Sequence, residues 1–171
     1  MRHTISVLVE NKFGVLARIS GLFSARGFNI SSLAVGETED PTVSRMTIVV
    51  QGDDKTLEQI KKQLNKLIDV IKVVDYKEGA FLDRELILIK VSVTPKNRKE
   101  ILEAVESAGA RIENAGSKSI SVEATGDQTK IKTLLELLRP FGILEVVRTG
   151  RIAMDTSDRG LKAEGKPEVN E

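Results

Sequence analysis

The chain has 171 residues, with no cysteine and no tryptophan, one histidine, one tyrosine and four prolines. Without cysteine there is no disulfide, no thiolate metal site and no cysteine nucleophile. A zinc site or a Ser-His-Asp triad would have to be built around the lone His3. A polar residue at the head of a strand is the simpler reading of that position. Aromatic residues make up 4% of the chain, and "VSRMTIVV" (43–50), which reads as a strand, holds none. RNA-recognition modules stack bases on aromatics of their central strands, so that platform is missing. The formal net charge is +1, which lacks the basic excess of a nucleic-acid footprint. No apolar run approaches the about 18 residues of a membrane span. "MRHTISVLVENK" carries a charge at position 2 and no apolar core of a secretory signal, so a cytoplasmic location is expected. No Gly-rich phosphate loop is followed by Lys-Ser/Thr. Glu58, Asp69, Glu103, Glu106 and Glu136 fall mostly on solvent-facing helix positions. No catalytic, metal-binding or cofactor-binding residue is therefore assigned.

What is present is an ordinary globular balance, 40% apolar and 30% charged, over a length suited to one large domain or two small ones. Ile5, Val7 and Val9 alternate at period two and predict a strand. Val15, Leu16, Ile19 and Phe23 follow at helical spacing, and Gly27 stands where a left-handed C-terminal residue belongs. Asn29 to Val35 reads as extended, and "GETEDPT" (36–42) as a hairpin connection. Val43 to Gln51 is a further strand. "GDDKT" then opens a helix capped by Asp53 or Asp54, with the stripe Leu57, Ile60, Leu64, Leu67 and Ile68. Val70 to Tyr76 closes a β-α-β-β-α-β order.

The second half repeats that order. Leu86 to Val93 is a strand, and Pro95 is placed to open a helix. Ile101, Leu102 and Val105 form its stripe, and Gly109 ends it. Arg111 to Asn114 and Lys118 to Ala124 flank a turn at Gly116-Ser117. "GDQTK" (126–130) echoes "GDDKT" (52–56), and Ile131, Leu134, Leu135 and Leu138 stripe the last helix before a strand over Gly142 to Val147. Gly27 and Gly109 stand 82 positions apart, but Gly52 and Gly126 only 74. The second hairpin is thus shorter by about eight residues. The expected class is α+β, two tandem ferredoxin-like βαββαβ units. Their expected bounds are 1–77 and 78–154, with the link between them inside 75–85 and a flexible polar tail over 155–171.

One stretch raises a functional question. In "VENKFGVLARISGLFSARGFNI" (9–30), Asn11 and Gly14 precede a helix and Asn29 follows it. A helix N-terminus offers unpaired N–H groups and a positive dipole end, which suit a carboxylate. Gly14 permits close approach, and the carbonyls of Asn11 and Asn29 are acceptors for an ammonium. The same residues also serve as plain turn and strand-start positions, and both readings stand at this level.

Three strings narrow the choice. "ENxxGxLxRxxGLFxxRGxNIxSL" (10–33), "DPTxSRMT" (40–47) and "LEQIxKQLxKLxDV" (57–70) resemble the regulatory small subunit of acetohydroxyacid synthase, also called acetolactate synthase. The resemblance is dense from residue 2 to about 80 and weaker over 84–150. It implies that the first unit is an ACT domain, pairing edge to edge with a second copy. It implies valine, or another branched-chain amino acid, bound at that interface by Asn11, Gly14 and Val15 of one chain and Asn29 and Ile30 of the other. It further implies a non-catalytic subunit that activates a large catalytic subunit and confers feedback inhibition on it. Thiamine diphosphate, Mg²⁺ and FAD would reside on that partner. The second unit departs from the pattern: Pro95 stands where the ligand loop belongs, Asn97 is the one amide nearby, and no Asn follows Gly109. It is expected not to bind valine in the same manner. Two other readings remain at this level, a free-standing ACT-type sensor of another metabolic enzyme and an RRM-like RNA-binding module.

Overall fold

Branched side chains at Ile5, Val7 and Val9 share one side of the first strand, and two helices cover that side. The computed structural model describes residues 1–76, 81–158 and 160–161. The first unit runs β1 (Arg2–Glu10), α1 (Val15–Ala25), β2 (Ile30–Glu37), β3 (Val43–Gln51), α2 (Asp54–Leu64) and β4 (Val70–Tyr76). Its strands lie in the order β2-β3-β1-β4. β1 is central and pairs antiparallel with β3 without a break, from Arg2 opposite Gln51 to Glu10 opposite Val43. Met46, Ile48 and Val50 of β3 join the apolar side of β1, and Val15, Ile19 and Phe23 of α1 with Leu57, Ile60 and Leu64 of α2 close the core. Phe23 meets Phe28 edge-on, with ring centroids 6.4 Å apart.

The other side of this sheet is mixed, with Leu8, Val43 and Val49 buried beside polar residues. Thr4, Ser6 and Thr47 are buried there. Arg45 donates from Nε to Ser6 Oγ at 2.8 Å, and from Nη2 to the Tyr76 hydroxyl and the Ala153 carbonyl, both at 2.7 Å. Arg151 donates from its side chain to Thr4 Oγ1 at 3.0 Å and from its backbone to Ser32 Oγ at 2.9 Å. The chain accordingly divides into one unit of Met1–Leu82 with the residues from Arg151 onward, and another of Asp83–Gly150. Against the expected bounds, 1–77 and 78–154, this division sets the first boundary after Leu82 and returns the residues from Arg151 onward to the first unit. The physical reason is hydrogen bonding: buried hydroxyls and a guanidinium need partners, and Arg151 and Ala153 supply them.

The second unit contains β5 (from Phe81–Ser92), α3 (Arg98–Ser107), β6 (Arg111–Ala115), β7 (Ser119–Gly126), α4 (Gln128–Leu138) and β8 (Ile143–Arg148). Its order is β6-β7-β5-β8. Ile87, Ile89 and Val91 of β5 pack with Ile120, Val122 and Ala124 of β7 under Ile101, Val105, Ile131, Leu134 and Leu138. Both units are therefore ferredoxin-like α+β units, as the repeat predicts. The echo of "GDDKT" and "GDQTK" has a shared cause. Asp53 accepts the Thr56 N–H and Asp127 the Lys130 N–H, each at 2.8 Å, so each caps its helix. The Thr56 backbone N–H and hydroxyl hold the Asp53 carboxyl below its ordinary range. The glycine before each cap leaves room for the first turn: a Cβ on Gly52 would lie 2.6 Å from Thr56 Cγ2, and one on Gly126 2.6 Å from Lys130 Cδ.

Local expectations are corrected in four places. α2 stops at Leu64 rather than running through Ile68. Tight turns follow, with Lys66 N–H on Gln63 O and Leu67 N–H on Leu64 O, so Leu67 stays on the core while Ile68 is 84% exposed. Pro95 does not open α3, because Thr94–Asn97 forms a turn of its own and the helix starts at Arg98. The expected link over 75–85 is strand at both ends, in β4 and β5; residues 77–80 lie outside the described residues. A short strand, β9 (Ile152–Asp155), stands at the expected start of the tail, most of which lies outside the described residues. No helix among the described residues is long and apolar enough to cross a membrane.

Two glycines test the packing with opposite signs. Gly52→Ala is expected to lower stability by about 1–3 kcal/mol through the Thr56 clash. Gly21→Ala, in the middle of α1 with nothing within 4 Å of the new Cβ, should raise it by about 0.5–1 kcal/mol. Denaturation midpoints of the two variants against the parent chain check both.

Candidate ligand site at the start of the first helix

β1 ends beside two other segments. The Glu10 N–H donates to Asp69 O at 2.9 Å and the Asn11 N–H to Thr42 O at 2.6 Å. The Asn11 side chain is held as well: Nδ2 donates to Glu37 Oε1 at 3.1 Å and to Pro41 O at 2.9 Å. The β2–β3 hairpin that provides these acceptors is itself tied. Asp40 Oδ1 accepts the Thr42 hydroxyl at 2.7 Å and the Thr42 N–H at 2.9 Å, and these bonds lower the Asp40 pKa from its ordinary value. Arg18 of α1 pairs with Asp69 at 2.8 Å, joining the helix to the same corner. Lys12 pairs with Glu10 at 2.9 Å; the Glu10 carboxylate raises its amine's pKa.

Gly14 sits at the N-cap of α1 with φ +82°, a left-handed conformation that disfavours any residue with a Cβ. Its carbonyl accepts the Arg18 N–H at 3.0 Å. α1 has no side-chain cap and no acidic residue in its first turn, whereas α2 and α4 are capped by aspartates. The first turn of α1 thus keeps its positive dipole end without a side-chain counterpart. Val15 is 3% exposed, its side chain in the core; its N–H reaches Lys12 O at 3.4 Å. That burial agrees with its place in the apolar stripe, and what Val15 offers near the surface is backbone.

At the other end of α1, the Phe28 N–H returns to Phe23 O at 3.0 Å and the Gly27 N–H to Ser24 O at 3.1 Å, with Gly27 at φ +69°. Asn29 follows, exposed, and Ile30 opens β2 half-buried and paired with Val50. An 11-residue helix lies between the two asparagines, about 16 Å of rise. Asn11, Gly14 and Val15 therefore cluster at one end of α1, and Asn29 and Ile30 stand at the other. One chain does not bring all five together. Glu37 and Pro41 were absent from the residues read off the sequence. The signal was there in part, since antiparallel β1 and β3 necessarily set the hairpin beside residue 11.

The corresponding corner of the second unit is closed on itself. Asn97 Oδ1 accepts the Thr94 N–H at 2.7 Å, the Asn97 N–H reaches Thr94 Oγ1 at 3.3 Å, and Arg98 donates to Gly116 O at 3.0 Å. Elsewhere, His3 Nε2 donates to Gly52 O at 3.1 Å, pinning a strand end. No cluster of three His, Asp or Glu suited to a metal ion occurs among the described residues.

Residues 5–72, the first ferredoxin-like unit, match the model of the AHAS small subunit-like ACT domain, so the chain is an ACT-domain protein. Residues 84–157 match the model of the small subunit of acetolactate synthase. A probable acetolactate synthase small subunit of Archaeoglobus fulgidus is 54% identical, over 90% of this chain and 96% of that protein. The acetolactate synthase small subunit of Mycolicibacterium smegmatis is 52% identical, over 94% and 95%. The crystal structure of the acetolactate synthase small subunit from Thermotoga maritima superposes with a TM-score of 0.84 at 40% identity, covering 93% of this chain and 99% of that one. The chain belongs to the family of acetolactate synthase small subunits, regulatory ACT-domain proteins.

The left-handed position makes a prediction independent of any ligand. Gly14→Ala should cost about 1–2 kcal/mol although its Cβ meets nothing within 4 Å, and Gly14→Asn should cost less. Urea midpoints of both variants read the difference.

Proposed function

We propose that this chain is the non-catalytic regulatory subunit of an acetolactate synthase. It binds the large catalytic subunit, raises its activity and makes it sensitive to valine. The catalytic partner carries thiamine diphosphate, Mg²⁺ and FAD. Family membership supports the partnership, since a small subunit implies a large one. Two copies pair through their first units, edge strand to edge strand. β2 lies at the edge of its sheet, and pairing would satisfy its free backbone groups.

The observation that carries the ligand reading is the start of α1: a helix with no side-chain cap, led by a left-handed glycine, beside a fixed asparagine. The valine carboxylate sits over the N–H groups of the first turn at Gly14 and Val15. Its ammonium is met by amide carbonyl oxygens of Asn11 and, from the second copy, Asn29. Ile30 of that copy lines the apolar side. The separation of the two asparagines along α1 favours a site shared by two chains. Valine then stabilises one arrangement of the regulatory dimer, in which the catalytic subunit is less active, with a coupling of about 1–3 kcal/mol.

Calorimetric titration of the purified chain with valine, with alanine as control, tests this. Saturable binding of at most one valine per chain is expected, abolished by Gly14→Asp, which sets a carboxylate where the ligand's belongs. Asn29→Ala should weaken binding by about 1.5–3 kcal/mol. In the reconstituted holoenzyme, Gly14→Asp should leave acetolactate formation active and insensitive to valine. Normal valine inhibition in that variant would remove the site assignment.

A further inference from the structure

We infer that Glu37 is a positioning residue of this site: together with the Pro41 carbonyl it locks the Asn11 amide so that Oδ1, not Nδ2, is presented to the ligand. The inference rests on the reading that an amino acid binds at the start of α1. A side-chain amide has an accepting end and a donating end of nearly the same shape, and its surroundings decide which faces where. Here both neighbours accept: a carboxylate oxygen of Glu37 at 3.1 Å and a backbone carbonyl at 2.9 Å. Turned over, the amide would set its own lone pairs against two acceptors. Nδ2 therefore spends both protons on the hairpin, and no described residue donates to Oδ1.

The consequence is a sign. A locked Oδ1 attracts an ammonium and repels a carboxylate. The start of α1, with its positive dipole end and no acidic residue in the first turn, has the opposite preference. The two groups a few residues apart thus read the two ends of a zwitterion in one orientation, and the site selects α-amino acids over simple carboxylic acids. Glu37 is the last residue of β2, opposite Ser44. The residue that sets the polarity of the amide therefore belongs to the edge strand through which two copies are proposed to pair.

Titration of the full chain with valine, for the parent and four variants, tests the inference. Glu37→Ala should raise Kd about three- to tenfold, the cost of ordering a freed side chain on binding. Glu37→Gln keeps an acceptor for Asn11 and should stay within about twofold of the parent. In the Asn11→Ala background, where no amide remains to orient, adding Glu37→Ala should produce no further loss. A general loosening of the hairpin would instead lower affinity in both backgrounds. Parent-like binding by Glu37→Ala, an undiminished effect in the Asn11→Ala background, or Glu37→Gln as weak as Glu37→Ala would each overturn the role assigned to Glu37. A parent chain that binds no valine removes the ligand reading itself, and this inference with it.

Discussion

Nine consecutive residues of β1 pair with nine of β3, from Arg2 opposite Gln51 to Glu10 opposite Val43, and this register governs the rest of the first unit. It sets Ile5 opposite Ile48 and Val7 opposite Met46, so the branched side chains of both strands share the helix-covered side. A slip of one residue would turn every one of them to the other side. It also ends β1 beside the start of the β3 hairpin. Asn11, the next residue, meets Thr42, Pro41 and Glu37 because no bulge intervenes along the pairing. The loop that follows β1 is thereby built against a sheet and not left to its own conformational freedom.

The four helices divide by how they begin. Asp53 and Asp127 cap α2 and α4 with their carboxyl oxygens. α3 begins after a turn in which Asn97 is bonded to Thr94. α1 begins with Gly14 and no side-chain partner. A capping carboxylate satisfies the same donors and the same dipole that a bound carboxylate would use. The duplicated units therefore share one architecture and differ in hairpin length and in how their first helices begin. The corner without a built-in anion is the one where the proposed amino-acid site lies.

The mixed face of the first sheet shows the complementary constraint. Arg45, Thr4, Ser6 and Ser32 require partners once they leave bulk water. Arg151 and the Ala153 carbonyl, more than a hundred residues further on for most of these contacts, complete the network. The C-terminal segment thus supplies hydrogen bonds to this side of the first sheet, whereas apolar burial defines each unit's own core.

Periodicity was enough to read both ferredoxin-like units, their order, the strand alternation at Ile5, Val7 and Val9 and the helix stripes, while the cap of α2 stayed open between Asp53 and Asp54. These features depend on residues near in sequence and on alternation along a strand. Asn11, Gly14 and Asn29 could be picked out as a candidate site from their motif, and the second unit's departure from it at Pro95 and Asn97 was visible as well. Other features needed the fold. That Ile68 leaves the core and that Arg151 returns to the first sheet follow from turns and pairings between distant segments. The polarity of the Asn11 amide is of the same kind. An asparagine carries both signs, and only Glu37 and Pro41, brought alongside by strand pairing, determine which one faces outward.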